Sequence, residues 1–181
     1  MIETLNLAGI EIYLTRFTPG ETGRGQMEAQ KSAVRRLLTA IAGKKHQLCH
    51  HNDGAPYIEG FGREISISHC KGYAAIGIGD SARIGIDIET PRATLRRVTR
   101  KFLSEEEQQR FTDDDALLTA WTMKEALYKA VGIAGIDFAN GIKLPQAGSQ
   151  LTEIAGTVYR VESTAIDDAR LTAAVPADII P

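Results

Sequence analysis

The chain has 181 residues, enough for a single domain or two small lobes sharing a core. Its mixed charge sums to −2, which leaves no electrostatic footprint for nucleic acid. No apolar run is long enough to span a membrane, Met1-Ile-Glu-Thr-Leu5 lacks a signal-peptide layout, and two cysteines make no disulfide framework; a reducing cytoplasm is therefore the expected compartment.

In chain order, residues 9–15 (Gly-Ile-Glu-Ile-Tyr-Leu-Thr) alternate and predict a strand. Residues 18–25, rich in Gly, Thr and Pro, predict a loop. Residues 26–42 predict a helix with Ala33, Val34, Leu37, Leu38 and Ile41 inward and Gly43 at its end. Residues 46–50 and 56–58 flank Asn52-Asp53-Gly54 as a hairpin. His46, Cys49 and His50 would share a face on a helix and could bind zinc, but on a strand they do not converge, and the spacing matches no zinc pattern. Residues 65–69, 73–79 and 84–89 predict three short strands in a meander. Residues 93–102 predict a helix, and Ser104 to Glu107 is a capping box opening a short one, with Leu103 as a staple. Residues 113–131 predict a long helix, capped by Thr112 or Asp113 and stopped at Gly132. Residues 157–163 and 170–176 predict a terminal hairpin around Asp167-Asp168. Helices and strands mix without strict alternation, so the expected class is α+β.

Two segments concentrate charged chemistry. In 84–89, Ile84, Ile86 and Ile88 alternate with Gly85, Asp87 and Glu89, so the two acids share the face opposite the isoleucines. Thr90-Pro91 ends the strand, because proline donates nothing to a ladder. In the long helix, Ala116, Ala120, Met123, Leu127 and Ala130 make one apolar stripe. Trp121, Glu125, Tyr128 and Lys129 fall nearly opposite, with Lys124 at the edge of that face. Each segment alone has an ordinary explanation: an i,i+4 Glu–Lys pair stabilises a helix by only ~0.2–0.5 kcal/mol and is common.

Together the segments carry a resemblance. Gly85-Ile-Asp-Ile-Glu89 followed by Trp121-Thr-Met-Lys-Glu-Ala-Leu-Tyr-Lys129 resembles the signature pair of the 4′-phosphopantetheinyl transferases, with Thr122 where serine or alanine is usual. Ile65-Ser-Ile-Ser-His69 resembles the segment upstream of the first acid in that family. Gly54-Ala-Pro-Tyr-Ile58 resembles the turn before it, with Ala55 in place of the usual lysine. The likeness covers roughly residues 25–145.

The resemblance implies two similar α/β lobes with pseudo-twofold symmetry in one 1–181 domain, lobe one about 1–80 and lobe two about 81–181. About 80 residues precede Asp87, which favours the long, single-chain type, like the surfactin-synthetase activator, for which a monomer suffices. The implied reaction moves 4′-phosphopantetheine from coenzyme A to a serine of an apo acyl or peptidyl carrier protein and releases adenosine 3′,5′-bisphosphate. Asp87, Glu89 and Glu125 match the family's Mg²⁺-binding acids, and Glu125 also matches the general base. Lys129 matches the lysine that stabilises the transferring phosphoryl group. Ser68 and His69 match contacts to coenzyme A phosphate, and Lys31 aligns with an arginine that does the same, keeping the charge without the bidentate fork. Lys124 is a further phosphate candidate, and Trp121 a packing residue. Arg96, Arg97, Arg100 and Lys101 offer a cationic face to an acidic carrier. The alternative is a coenzyme A or carrier-protein binding module without turnover, for which Ala55 and Lys31 leave room.

Overall fold

A computed structural model of the chain describes residues 1–80 and 83–177. The first sheet has the order β1-β2-β6-β5, from β1 (Ile2–Leu7), β2 (Ile10–Arg16), β5 (Glu64–Cys70) and β6 (Tyr73–Gly79). The second has the order β7-β10-β9-β8, from β7 (Gly85–Glu89), β8 (Leu151–Ile154), β9 (Thr157–Ile166) and β10 (Ala169–Pro176). A two-stranded ribbon joins β3 (Leu48–His50) to β4 (Pro56–Ile58). The helices are α1 (Gly23–Ala42), α2 (Leu95–Phe102), α3 (Glu105–Arg110) and α4 (Asp114–Val131). The class is mixed α+β, and no helix among the described residues is long and apolar enough to cross a membrane.

Alternation in the strands dictates the layering. Ile10, Ile12 and Leu14 of β2 and Tyr73 and Ala75 of β6 face Ile86 and Ile88 of β7 and Leu171 and Ala173 of β10, so the two sheets bury their inner faces against each other. On the outer face of the first sheet, Ala74, Ile76 and Ile78 meet Ala33, Leu37 and Leu38 of α1. On the outer face of the second, Val161 and Ala174 meet Ala120, Ala126, Leu127 and Ala130 of α4. The stack is helix, sheet, sheet, helix. Each sheet also contains a strand, a helix and then two paired strands, the later of which sits beside the first: β2-α1-β5-β6 and β7-α4-β9-β10.

The expected caps are present. Asp113 accepts from the Ala116 amide at 2.8 Å, and Gly132 ends α4 in the left-handed region at φ 64°. Ser104 and Glu107 exchange both bonds of a capping box at the start of α3.

Three expectations change. Strand β1 was not expected: its side chains are exposed at all but two positions, so no burial alternation marks it. The meander stops after β6, because β7 pairs with β10 instead. Both faces of β7 are buried, which places it between the inner core and α4 rather than at the end of the first sheet. The apolar stripe of α4 is broader than expected: Leu117, Leu118, Thr122 and Lys124 are buried too, since α2 and the 136–144 segment cover flanks that solvent was expected to bathe.

Candidate active site

The two sheets meet edge to edge at β5 and β7 through serine hydroxyls. The Ile86 amide donates to Ser66 Oγ at 3.0 Å, and the Ile88 amide donates to Ser68 Oγ at 3.1 Å. The Ser68 hydroxyl in turn donates to Asp87 Oδ1 at 2.8 Å. Buried backbone donors are thus satisfied without a strand ladder. Ser68 was expected at a phosphate; it is buried, its proton is committed to Asp87, and it still lines the groove described below.

Helix α4 lies directly on β7. Gly85 makes this possible: a Cβ there would collide with the Ala126 carbonyl oxygen and stand 2.8 Å from the Ala130 nitrogen. The close approach lets Lys129 reach down, and its Nζ donates to the Ile86 carbonyl at 2.8 Å and to Asp87 Oδ1 at 2.9 Å. Asp87 is buried and holds both a hydroxyl and an ammonium.

Glu89 and Glu125 complete the acidic group. Glu89 is paired with Arg92 at 2.7 Å and accepts from the Thr90 amide at 3.0 Å. Burial pushes its carboxyl above the usual range, Arg92 and the Thr90 amide oppose that, and Asp87 adds to it. Glu125 is half-buried, and among the described residues its carboxylate has no hydrogen-bond or ion-pair partner. Burial again raises its pKa first, the Asp87 charge second, with Lys129 and Arg92 opposing and Glu89 adding a smaller push. The three carboxylates therefore sense one another. Among the described residues, however, no three His, Cys, Asp or Glu side chains are gathered into a ready metal cage.

A groove of about 690 Å³ runs from this cluster to α1. Ser68, His69, Asp87 and Lys129 line one end, and Lys31 and Arg35 line the other. His46, from the connection between α1 and β3, and His50 of the ribbon join the wall, and Val34, Leu38, Leu48 and Ile67 give it apolar patches. His69 has its outer edge in solvent; partial desolvation holds its imidazole below the usual value, Lys129 pushes the same way, and Asp87 opposes. Arg35, His46 and His50 were missed as groove residues. Arg35 follows Lys31 by four positions and so shares its helix face, a signal the sequence does carry. His46 does not share a zinc site with Cys49; its Nδ1 lies 2.7 Å from the Gly43 carbonyl oxygen.

Lys124 is corrected. Its side chain is fully buried on the flank of α4 away from the groove, donating to the Ala139 carbonyl at 3.0 Å, to the Ile142 carbonyl and to Glu107 Oε2 at 2.7 Å. Glu107 in turn accepts from the Leu144 amide at 2.8 Å. Burial pulls the Lys124 pKa down, and Glu107 opposes that. The pair pins α3 and the 139–144 segment to α4 and does not line the groove. Trp121 packs edge-on to Phe102 with Arg92 over its ring, a packing position as expected. Thr122 is buried and bonded to Thr172 at 2.8 Å.

An α+β scaffold that aims three histidines, cations from two helices and Asp87 into one groove, with Glu89 and Glu125 coupled to that acid, is built for a polyanionic ester. The model of the 4′-phosphopantetheinyl transferase superfamily matches residues 83–174, just over half of the chain, and the matched span contains Asp87, Glu89, Glu125 and Lys129. The chain belongs to this superfamily, and its general function is that of a phosphopantetheinyl transferase. No curated protein matches it.

Proposed function

We propose that the protein transfers 4′-phosphopantetheine from coenzyme A to a serine hydroxyl of an apo acyl or peptidyl carrier protein. The observation that carries this reading is the convergence of Asp87 and Lys129 with Ser68, His69, Lys31 and Arg35 along one groove, with half-buried Glu125 electrostatically coupled to Asp87.

In this reading Lys31, Arg35, His46, His50 and His69 hold the phosphates of coenzyme A, and Lys129 stands at the pyrophosphate. The carrier serine oxygen forms a bond to the pantetheine-side phosphorus, and the bond to the bridging oxygen breaks. Adenosine 3′,5′-bisphosphate leaves with that electron pair. Glu125 takes the serine proton, directly or through water; its raised pKa makes it a stronger base than an exposed glutamate. Lys129 offsets charge on the departing oxygens.

Asp87, Glu89 and Glu125 are the residues that would hold Mg²⁺, which supplies charge neutralisation along the pyrophosphate. The donor set fits: all ligands are hard oxygens, and the mutual repulsion of the acids is the kind a cation relieves. Magnesium keeps several waters and takes one or two carboxylates plus substrate phosphate, so it needs no preformed cage.

The shared strand-helix-strand-strand order supports two lobes of about 1–80 and 81–181 related by pseudo-twofold symmetry, the single-chain type in which a monomer suffices. The cytoplasm, where coenzyme A and apo carriers meet, is the proposed compartment. The test is to incubate the protein with apo carrier, coenzyme A and Mg²⁺ and weigh the carrier. A gain of one phosphopantetheine is expected. No gain with any of several carriers, alongside retained coenzyme A binding, would favour a binding module instead.

A further inference from the structure

Arg83 lies outside every role assigned so far. It precedes β7, and its Nε donates to the Lys129 carbonyl at 2.7 Å, while Nη1 pairs with Asp53. That carbonyl belongs to the last turn of α4, where carbonyls lack partners within the helix, and a cation there also suits the helix dipole. Gly132 leaves the room: a Cβ at that position would collide with the Arg83 guanidinium. Asp53 is fixed as well, since its other oxygen accepts from the Ala55 amide at 3.0 Å inside the β3–β4 turn. Arg83 holds the Asp53 carboxyl below its usual range.

One guanidinium thus ties three pieces of chain: the entry to β7, which carries Asp87; the last turn of α4, which carries Lys129; and the β3–β4 ribbon, which carries His50, Gly54 and Pro56 to the groove wall. The base of the ribbon is anchored apart from Arg83, by Ile58 buried beneath α1 with Leu48 packed against it, but its tip is not. The ribbon pairs only with itself, as a ladder from Leu48↔Ile58 to His50↔Pro56, and Cys49 and His50 of β3 are not buried. A second cavity of about 840 Å³ lies between this ribbon and α4, lined by Asp53, Ala55, Arg83 and Tyr128. A ribbon beside so much open space needs a strut.

We infer that Arg83 is a positioning residue: with Asp53 it clamps the β3–β4 ribbon to the end of α4 and so sets the width of the coenzyme A groove. The geometry requires an arginine, because two donors of one planar fork serve two acceptors in different directions. The inference rests on the transferase reading for its kinetic consequence, but the clamp itself is measurable without turnover.

The experiment uses the full-length protein and the variants Arg83→Met, Arg83→Lys, Asp53→Asn and the Arg83→Met/Asp53→Asn double. Amide hydrogen exchange is followed in residues 48–58 and, as a reference, in β9 and β10. Faster exchange of the ribbon is expected in both neutralising variants with β9 and β10 unchanged, and Arg83→Lys should recover part of the protection. In the transfer assay, KM for coenzyme A should rise about fivefold, with kcat within about twofold, and the double variant should be no worse than the worse single. Unchanged ribbon exchange in Arg83→Met, or fully additive effects in the double, would overturn the clamp. If the wild-type protein transfers nothing, the transferase reading fails, and the exchange data still decide the clamp.

Discussion

Replacing Gly85 by alanine is the sharpest probe of the site, because it perturbs geometry without removing any functional group. A Cβ at this position would lie 2.8 Å from the Ala130 nitrogen and 2.9 Å from the Ala126 carbonyl carbon, and closer still to the Ala126 oxygen. Ordinary contact begins at 3.4 Å, and all three obstacles are helix backbone, which cannot swing aside as a side chain can. Helix α4 must therefore lift by more than ~0.6 Å, and more to clear the carbonyl oxygen, since packed interiors yield little. Overpacking of this kind costs ~1–3 kcal/mol in stability. The lift also pulls Lys129 and Glu125 away from Asp87, and a displacement near 1 Å can cost ~100-fold in rate. Gly23→Ala is the matched control: it opens α1, and its Cβ would meet nothing within 4 Å. The assay is denaturant unfolding together with carrier mass gain per unit time. Gly85→Ala with wild-type rate and stability would refute the claim that α4 seats on bare backbone at this position.

The other predictions concern charge and hydroxyls. Glu125 and Glu89 carry raised folded pKa values, so their contributions favour the fold at low pH and fade as pH rises through those values. In chelator, Glu125→Gln should melt higher than wild type, with the gap widening from about pH 4 to about pH 8, while transfer is lost; a gap that narrows over that range would sink the argument. Lys124→Met strands the buried Glu107 carboxylate and should cost ~3–5 kcal/mol by urea unfolding; an unchanged midpoint would mean that the pair is not enclosed. Ser68→Ala leaves the Ile88 amide and Asp87 each short of a partner, and should lower stability by ~1–3 kcal/mol. Its transfer rate should fall as well, checked by the same mass assay.

Much of this was readable in the chain because local rules and global packing agree. Strict alternation around Asp87 and Glu89 set the acids opposite the isoleucines, which lie in the inner core; that α4 covers the acid face came only with the fold. The limits of α4 followed from Asp113 and Gly132, whose preferences are intrinsic. Pairing was harder. Periodicity marks β7 as a strand but is silent on its neighbour, and the partner, β10, lies some 80 residues on. Lys124 was misplaced for a related reason. A lysine is expected in water unless an anion meets it indoors, and Glu107 comes from a different helix. Arg83 gave no signal at all, because its two attachments converge only in the folded chain.

The Ser66–Ser68 seam has a consequence for how the molecule moves. Two edges joined by a ladder would have to part amide by amide, but at β5 and β7 two serine hydroxyls make the join, while the buried inner faces hold the slabs together behind it. Each Oγ accepts from a single β7 amide, and losing that bond breaks no strand pairing, so this edge is a softer plane than a ladder would make. That plane passes between His69 and Asp87, and a slip along it would widen or narrow the groove. Breathing of the groove would thus be governed by two serines, and deuterium uptake at the Ile86 and Ile88 amides would report it directly.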